Sequence, residues 1–428
     1  MNGTTRRAFL RQSASALAGA LAAPYILTSS ALGQGGRPGA SERVALGHIG
    51  VGSRGGGLLG GFLGLPEAQS VAVCDCFRSR REEAATAVNQ RYGDQGCAAY
   101  ADFRELLARD DIDGVVIATH DVWHVPLAIA AARAGKDVYV EKPLGMSVRQ
   151  DLACREVCQR YGTIFQYGTQ QRSMAHCRYG CELVRNGRLG EIQSIEVVAP
   201  AGGSGGSTAP IPVPEDLDYE TWLGPAPWSP YTADRCTNRG GFWVYDNSIG
   251  FLAGWGSHPL DILDWAWGSH EMMPVECTGT GLIPTEGLYD TVATWEVHLR
   301  YPNGVPLTFT SGGGDLTRFV GTEGWLNISR GGLDAEPKSL LTSVIGPNEL
   351  HLVESADHGG NFVESIKTRT PAVSPIESAV RSDTISHLGD IAIRTGRTIR
   401  WDPKAETILG DDAARRMTTR PMRSPWRL

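Results

Sequence analysis

The sequence predicts an α/β protein in which an N-terminal doubly wound parallel sheet precedes a C-terminal α+β domain with a large, open, mainly antiparallel sheet. Three observations predict this fold class. An apolar strand ends in a glycine-rich turn within residues 44–55, strands and helices then alternate to residue 140, and a run of strands follows helices at residues 291–328. Alternation is typical of parallel sheets, and successive strands favour antiparallel pairing.

Length and charge limit the class of protein. The 428 residues, 41% hydrophobic and 20% charged, suffice for two domains with substantial cores. A formal net charge of -7 argues against a nucleic-acid binder, which needs a basic surface. The nine cysteines are odd in number and show no paired C-x-x-C spacing, so we predict no metal site. Small molecules are the expected partners.

The first residues are typical of an export signal. Residues 4–11 read Thr-Thr-Arg-Arg-Ala-Phe-Leu-Arg, and a short segment of small apolar residues follows. We interpret residues 1–33 as a twin-arginine signal peptide, which predicts a periplasmic or otherwise exported protein. The apolar segment is too short for a stable membrane span. Residues 34–42 are rich in glycine and proline and are predicted to be a linker.

The first strand leads into the sequence Gly50-Val-Gly-Ser-Arg-Gly55. In this G-x-G-x-x-G pattern Gly50 allows a tight turn, Gly52 lets the backbone approach a pyrophosphate, and Gly55 lets the helix pack on the strand. Ser53 and Arg54 open that helix, whose free N-H groups attract phosphate. Taken alone, the pattern is equally compatible with a purely structural turn.

An acidic residue at the end of the second strand favours the dinucleotide interpretation. Asp75 lies 20 residues beyond Gly55, the spacing of a carboxylate that binds the ribose hydroxyls of NAD. This carboxylate would repel a 2'-phosphate, so NAD is the expected cofactor. Three nearby arginines could receive that phosphate and leave NADP possible: Arg78, Arg80 and Arg81.

Two further strand ends are expected beside the cofactor, because ligands of doubly wound sheets bind at the carboxyl ends of the strands. The first is Thr119 to His124, and the second is Glu141-Lys142-Pro143. Lys142 could be a solvated charge. Alternatively, the flanking acid and proline could hold its side chain in one direction for a functional role.

These motifs together resemble the glucose-fructose oxidoreductase, inositol dehydrogenase and rhizopine-catabolism (Gfo/Idh/MocA) family. The likeness covers Val44 to Leu428 and is carried by the glycine turn, Asp75, Asp121-Val-Trp-His124 and Glu141-Lys142-Pro143-Leu144. It implies an NAD(P)-binding Rossmann domain at residues 43–162. The remaining residues, 163–428, would form a C-terminal α/β domain for substrate binding and oligomerisation through its open sheet.

The resemblance also implies roles for residues at the two strand ends. Lys142 would contact the reacting hydroxyl and the nicotinamide region, and Thr119, His124 and Glu141 would lie on the cofactor side. The chain departs from the family's T-P-D-H-W-H pattern, since His120 stands where proline is usual. The sequence therefore does not determine the conformation of that loop.

A histidine in the second half falls on the family's catalytic position. A lone histidine such as His258 is more often structural, but the resemblance implies that it is the base. Oxidation of a secondary alcohol sends hydride to the nicotinamide and the hydroxyl proton to a base, and imidazole titrates in a useful range. Lys142 could then stabilise the developing alkoxide.

Three polar residues are candidates for substrate binding. Arg172 could cap a helix or hydrogen-bond a polyol, and the resemblance favours the polyol. The family commonly has an aspartate four residues before the catalytic histidine, where this chain has Gly254. Asp246 or Asp261 could rebuild the missing carboxylate, and we favour Asp246.

We therefore predict an exported NAD(P)-dependent oxidoreductase acting on a secondary hydroxyl of a sugar, polyol or glycoside, with a tightly held cofactor. One alternative is an NAD-dependent glycosidase that oxidises the sugar transiently and eliminates the aglycone. A second alternative is a non-catalytic sugar-binding homologue, which the missing aspartate suggests. A homo-oligomer formed through the C-terminal sheet is expected in each case.

Overall fold

The computed structural model describes residues 38–267 and 273–428. The chain divides into two units, Met1–Arg43 and Val44–Leu428. The described part of the first unit contains one 3-10 turn, Ala40–Glu42, within the predicted linker. The predicted signal peptide, residues 1–33, lies outside the described residues.

The second unit begins with a six-stranded parallel sheet of order β3-β2-β1-β4-β5-β6. Its strands are β1 Val44–Ile49, β2 Ala68–Cys74, β3 Ala98–Tyr100, β4 Gly114–Ile117, β5 Asp137–Val140 and β6 Phe165–Tyr167. Its connecting helices are α1 Ser53–Leu63, α2 Arg78–Tyr92, α3 Phe103–Leu107, α4 His124–Arg133 and α5 Val148–Tyr161. The predicted doubly wound parallel sheet is confirmed.

The central strands are apolar because the sheet is covered on both faces. Every residue of β4 and β5 is buried, as expected for parallel strands that carry helices on each side. The strand order reverses between β1 and β4, and this is where doubly wound sheets bind ligands. We assigned β6 from sequence to the second domain, but it pairs in parallel with β5 and completes the first sheet.

The second sheet has nine strands in the order β13-β12-β11-β7-β10-β9-β8-β14-β15. Its strands are β7 Ile192–Pro200, β8 Glu276–Leu282, β9 Thr294–Arg300, β10 Pro306–Gly312, β11 Leu316–Gly321, β12 Gly324–Ser329, β13 Gly332–Glu336, β14 Ile399–Asp402 and β15 Thr407–Leu409. Only the β7-β10 pair among them is parallel. The predicted mainly antiparallel sheet is confirmed.

The helices of the second half of the chain are α6 Ala175–Arg185, α7 Tyr219–Leu223, α8 Asn238–Trp243, α9 Phe251–Gly254, α10 Ser257–Trp267, α11 His358–Thr368, α12 Ile376–Thr395 and α13 Asp412–Arg416. The helices α6, α9, α10, α12 and α13 contact strands of this sheet, whereas α11 contacts β1 and α1 of the first domain. Along β9 the buried Val297 and Leu299 alternate with the exposed Glu296 and His298. Such alternation indicates a strand with one face in the core and the other exposed.

The glycine- and proline-rich stretch that follows β7 is predicted to be a long loop. It contains α7, and part of it runs across to the first sheet, where Phe77 and Leu217 form an antiparallel bridge. The stretch therefore links the second domain to the carboxyl end of β2.

No described helix combines the length and the apolarity that crossing a bilayer requires.

Candidate active site

An open cleft lies where β1, β2 and β4 end, as the rule for doubly wound sheets predicts. It holds about 1010 Å³ of non-protein space, which includes the open solvent at its mouth. Its polar and glycine lining includes most of the predicted cofactor residues: Gly50, Gly52, Ser53, Arg54, Asp75 and Thr119.

The glycine turn needs its glycines for different physical reasons. Gly50 has φ +82°, a conformation that other residues adopt only with strain. A Cβ added to Gly55 would lie 1.9 Å from the Gly50 carbonyl oxygen, whereas one added to Gly52 would meet only the flexible Arg80 guanidinium, at 3.2 Å. The space over Gly52 is therefore open toward the cleft.

The helix that follows this turn presents its N-terminus to the cleft. Ser53 and Arg54 lie in the first turn of α1 and line the cleft, and this turn contains no acidic residue. The unpaired N-H groups and the positive end of the helix dipole are suited to a phosphate. This arrangement agrees with the predicted role of both residues.

Asp75 holds the glycine turn against the end of β2. One of its carboxylate oxygens accepts the backbone N-H of Val51 and the other that of Phe77, both at 2.9 Å. The carboxylate is buried yet still lines the cleft. Arg80 also lines the cleft, with its guanidinium carbon 3.8 Å from the Phe77 ring centroid. Asp75 and Arg80 thus lie together where the adenosine ribose is expected, and NADP differs from NAD by a phosphate on the 2' position of this ribose.

The loop after β4 contributes a stacked pair of rings to the cleft. His120 lies parallel to Trp222, with 4.4 Å between the ring centroids, and both residues line the cleft. Burial, and after it the nearby His124, lowers the pKa of His120 to about 3. The histidine that replaces the family proline is therefore neutral at physiological pH and forms part of the cleft wall.

His124 does not line the cleft as the resemblance implied. The ring is buried, with Nδ1 2.6 Å from the Pro143 carbonyl oxygen and Nε2 3.2 Å from that of Thr119. It therefore ties the loop after β4 to the turn after β5. The geometry favours a positioning role for His124 over direct cofactor contact.

Residues 216–238, which we call the closing segment, form a second wall of the cleft. Its backbone pairs with the region after β2: the Arg78 N-H donates to the Asp216 carbonyl at 2.9 Å, and the Asp218 N-H donates to that of Cys76 at 3.0 Å. The Trp123 indole N-H donates to the Thr221 carbonyl at 3.0 Å. Hydrogen bonds thus hold the closing segment across the cleft.

The C-terminal tail supports the closing segment from outside. The ring of Trp426 packs against that of Trp123 with centroids 4.6 Å apart. Arg423 pairs with Glu220 at 2.6 Å, and its Nε donates to the Gly224 carbonyl. The two ends of the C-terminal domain therefore meet at the cofactor cleft.

Glu141 contacts other protein side chains in the site. Its Oε1 accepts hydrogen bonds from Arg54 Nε at 2.7 Å and from Gln170 Nε2 at 3.0 Å. The residue is 3% exposed, whereas the Arg54 side chain is 50% exposed, so the contact with Arg54 lies at the edge of the buried region. Glu141 consequently joins the phosphate turn to the end of β5 and fixes the start of the turn that carries Lys142.

Lys142 has a free ammonium group facing aromatic and charged neighbours. Among the described residues its Nζ has no hydrogen-bonding partner, and it lies 5.7 Å from the Phe242 ring centroid. Burial lowers its pKa, which the carboxylates of Glu141 and Asp121 oppose. This is the geometry of a cation held ready for a ligand rather than one solvated at the surface.

His258 lies within the electrostatic reach of Lys142, as the resemblance implied. It begins the first turn of α10, its ring is 4% exposed, and its Nδ1 has no partner among the described residues. Burial, and after it the positive charges of Lys142, Arg330 and Arg54, lowers its pKa well below the usual value. The imidazole is therefore neutral and able to accept a proton.

Arg172 and Asp261 bind each other. Arg172 Nε and Nη2 each donate to an Asp261 carboxylate oxygen at 2.7 Å, Nη2 also reaches Asp264 at 3.1 Å, and Nη1 donates to the Val373 carbonyl. Arg172 is 4% and Asp261 0% exposed. The geometry favours a structural ion pair over the substrate contacts expected from sequence.

The charges that act on Asp246 are those of Asp290, Arg235 and Arg420, and its pKa is raised first by burial and then by Asp290. Gly254 would accommodate a side chain, because an added Cβ would come no closer than 4.0 Å to its nearest neighbour. The Asp261 carboxylate is bound by Arg172, so it does not take the place of the family aspartate. That Asp246 takes this place stays a prediction.

Two charged residues of the site were not predicted as site residues. Asp121 is buried, accepts a hydrogen bond from Ser248 Oγ at 2.6 Å and acts on Lys142. Arg330 acts on both Lys142 and His258. Asp121 stands in the loop motif and could have been found there, whereas Arg330 follows β12 with no local signal.

The lining residues fit an NAD molecule. The glycine turn leaves room for a pyrophosphate over Gly52, the start of α1 is suited to phosphate, and Asp75 lies where the adenosine ribose is expected. Lys142 and His258 would then lie toward the nicotinamide end. The residues present thus satisfy the chemistry of both ends of the dinucleotide.

Sequence comparisons agree with this description. Residues 203–428 match the C-terminal alpha/beta domain, and residues 46–169 the NAD-binding Rossmann fold, of the Gfo/Idh/MocA oxidoreductase family. The fold is similar to that of scyllo-inositol dehydrogenase from Lactobacillus casei, solved with bound NAD(H) and scyllo-inositol. Its TM-score is 0.60 and its identity 17%, over 84% of this chain and 99% of that one.

Curated relatives match only part of the chain. A glycosyl hydrolase family 109 protein from Saccharopolyspora erythraea is 40% identical over 162 residues, which are 34% of this chain and 35% of that protein. An alpha-N-acetylgalactosaminidase from Shewanella oneidensis is 30% identical over 215 residues, 45% of each chain. The chain thus spans less than half the length of either relative.

The glycine turn yields a matched pair of substitutions. Gly55→Ala is expected to abolish NAD binding and destabilise the fold, because its Cβ would lie 1.9 Å from the Gly50 carbonyl oxygen. Gly57→Ala, in the same helix but with nothing within 4 Å of the new Cβ, should retain binding and gain about 0.5–1 kcal/mol of stability. Calorimetric NAD titration and urea unfolding measure both effects. Equal NAD affinity in the two variants would contradict this account of the turn.

Proposed function

Because the chain belongs to the Gfo/Idh/MocA oxidoreductase family, we propose that it transfers hydride between NAD and a secondary hydroxyl of a sugar, polyol or glycoside. The observation that carries the proposal is the placement of Lys142 and His258. Lys142 lies 5.7 Å from the ring of Phe242, which lines the cleft, and its charge acts on the neutral, buried imidazole of His258. Alcohol oxidation needs these two groups.

Lys142 binds the oxygen of the reacting hydroxyl and stabilises negative charge as the alcohol loses its proton. His258 accepts that proton, because burial and the adjacent cations keep its imidazole neutral. Bound NAD supplies the hydride acceptor. Glu141, through Arg54 and Gln170, keeps the Lys142 turn fixed relative to the cofactor turn. In the reverse direction His258 returns the proton.

A redox glycosidase is the second candidate, and the relatives favour it. Two of them carry the names glycosyl hydrolase family 109 protein and alpha-N-acetylgalactosaminidase. Transient oxidation of a glycoside hydroxyl to a ketone would acidify the adjacent C-H bond and permit elimination of the aglycone, which leaves an unsaturated ketone. Addition of water to the double bond and reduction of the ketone would then give the free sugar with no net change of the nicotinamide. Lys142 and His258 would serve the oxidation and reduction in the same way.

Export and cofactor retention form a further part of the proposal. We infer that residues 1–33 direct the folded protein through the twin-arginine route. Free nicotinamide cofactor is scarce outside the cytoplasm, so the cofactor would be loaded before export and recycled in the site. The closing segment and the C-terminal tail support tight retention of the cofactor, because both pack at the cleft.

We also propose that the chain forms a homo-oligomer through the open face of the nine-stranded sheet. Light scattering tests this proposal.

Substitution of the two reactive residues separates the chemistry from folding. Lys142→Met and His258→Gln are each expected to lower sugar oxidation by about 10²–10⁴-fold, while the bound NAD content stays unchanged. The readouts are the absorbance of reduced nicotinamide and nitrophenol release from nitrophenyl glycosides. Nitrophenol release without net NADH favours the glycosidase, and NADH formation favours the dehydrogenase. Lys338→Met and His298→Ala, at exposed residues, are the controls.

If both variants retain full turnover of every substrate, the assignment of Lys142 and His258 as the reactive residues fails. If the unaltered protein binds sugars but turns over none of them, a non-catalytic sugar-binding protein is indicated.

The pH profile tests the neutral state of His258. Its pKa is lowered from 6.5 by burial and by neighbouring cations, so the folded enzyme keeps its base unprotonated below that pH. We expect kcat/KM for oxidation to remain constant through pH 6.5 and to fall only at lower pH. Stopped assays in overlapping buffers measure this profile. A loss of activity centred at or above pH 6.5 would contradict the role of His258 as the base.

The export proposal predicts a change of compartment without a change in cofactor. Replacing both Arg6 and Arg7 with lysine should retain the protein in the cytoplasm, because the twin-arginine pair is the feature that the route reads. Cell fractionation locates the protein, and denaturation of each fraction releases NAD for measurement. Unchanged export of the double variant would show that another signal directs it.

A further inference from the structure

Aromatic rings form a wall between the reactive residues. The Trp255 ring centroid lies 5.6 Å from that of His258 and 5.6 Å from the Arg330 guanidinium carbon. Phe251 continues the wall, with its centroid 6.3 Å from Trp255 and 5.6 Å from Phe242, the ring beside Lys142. A sugar ring presents apolar C-H faces that pack well on such a surface.

Arg330 lies beside this wall, and the proposed function gives it no role. It follows β12, and its side chain is 38% exposed. Its Nε lies 4.0 Å from the nearest carboxylate oxygen, on Asp315, which is beyond hydrogen-bonding distance. That oxygen already accepts Gln171 Nε2 at 2.7 Å. The Arg330 guanidinium therefore has no hydrogen-bonding partner among the described residues.

The carboxylates around the site have partners already, and the cations do not. Glu141 is bound to Arg54 and Gln170, and Asp121 is buried with Ser248. Lys142 Nζ and His258 Nδ1 lack partners within the described chain. The positive charge of Arg330 lowers the pKa of both Lys142 and His258, so the three groups share one electrostatic environment. Arg330 thus brings to this environment a guanidinium that has no carboxylate within hydrogen-bonding distance among the described residues.

We propose that the substrate is a sugar acid whose carboxylate binds Arg330, whose ring packs on Trp255 and whose reacting hydroxyl contacts Lys142. Only the last of these contacts, between the reacting hydroxyl and Lys142, rests on the proposed function. The edge of a planar guanidinium pairs with a planar carboxylate through two parallel hydrogen bonds. A single guanidinium suits the single charge of a carboxylate better than the nearly double charge of a phosphate monoester.

Matched sugars test the charge requirement on the protein purified with its cofactor. Galacturonate and galactose, and glucuronate and glucose, differ at one carboxylate, and galactose 6-phosphate probes the alternative anion. Calorimetry measures binding, and nicotinamide absorbance measures turnover. We expect at least one acid to bind about tenfold or more tightly than its neutral partner, as loss of a charged hydrogen bond predicts.

Arg330→Gln is expected to weaken binding of that acid by about 10–100-fold and to change binding of the neutral sugar by less than about threefold. Arg330→Lys should restore part of the preference, because charge remains while the paired geometry is lost. Arg318→Gln is the matched control, since Arg318 also stacks on a tryptophan of this sheet, Trp325, at 4.6 Å. It should bind both sugars normally.

Equal binding of acids and neutral sugars, tighter binding of the phosphate, or equal losses for both sugars in Arg330→Gln would overturn the inference. Failure of the proposed function gives a different result. Turnover that depends on Lys142 and His258 without an acid preference leaves the function standing and removes the inference. An Arg330-dependent acid preference in binding, with no turnover, preserves the inference and removes the function.

Discussion

The contact between Glu141 and Arg54 fixes the geometry on which the site depends. Glu141 follows β5 directly before Lys142, and Arg54 lies in the first turn of α1, within the glycine turn. Their 2.7 Å hydrogen bond ties the residue next to the reactive lysine to the loop that binds the cofactor phosphates. Gly168 preserves this contact, since a Cβ there would lie 2.9 Å from the Glu141 Cα. Three strand ends are thereby held in one arrangement.

Around this contact the protein leaves some charges free and satisfies others. Arg172 is surrounded by carboxylates and carbonyls, and removing one partner of such a buried pair typically costs about 3–5 kcal/mol. Lys142, His258 and Arg330 lack comparable partners within the described chain. Saturated charges stabilise the fold, whereas the unsatisfied ones lie beside the Phe242 and Trp255 rings, where a substrate can meet them.

The closing segment shows how cofactor binding and domain structure are coupled. It belongs in sequence to the second domain, yet Trp222 stacks on His120 of the first domain. The tail reaches the same place through Trp426 and Trp123. Release of a bound dinucleotide past this wall would require several hydrogen bonds and ring contacts to open together. This coupling provides a structural basis for the tight cofactor retention that we propose.

The sequence alone determined features that depend on local physics. The Gly50 to Gly55 turn, the doubly wound sheet, the antiparallel second sheet, and Asp75 at the end of β2 follow from spacing, apolar patterns and backbone freedom. Tertiary structure decided which charges are partnered. Asp261 and Arg172 are 89 residues apart in sequence, and Arg330, which follows β12, comes near His258 because α10 packs on β11, the strand that pairs with β12. Such pairings depend on how sheets and helices pack, which no local pattern encodes.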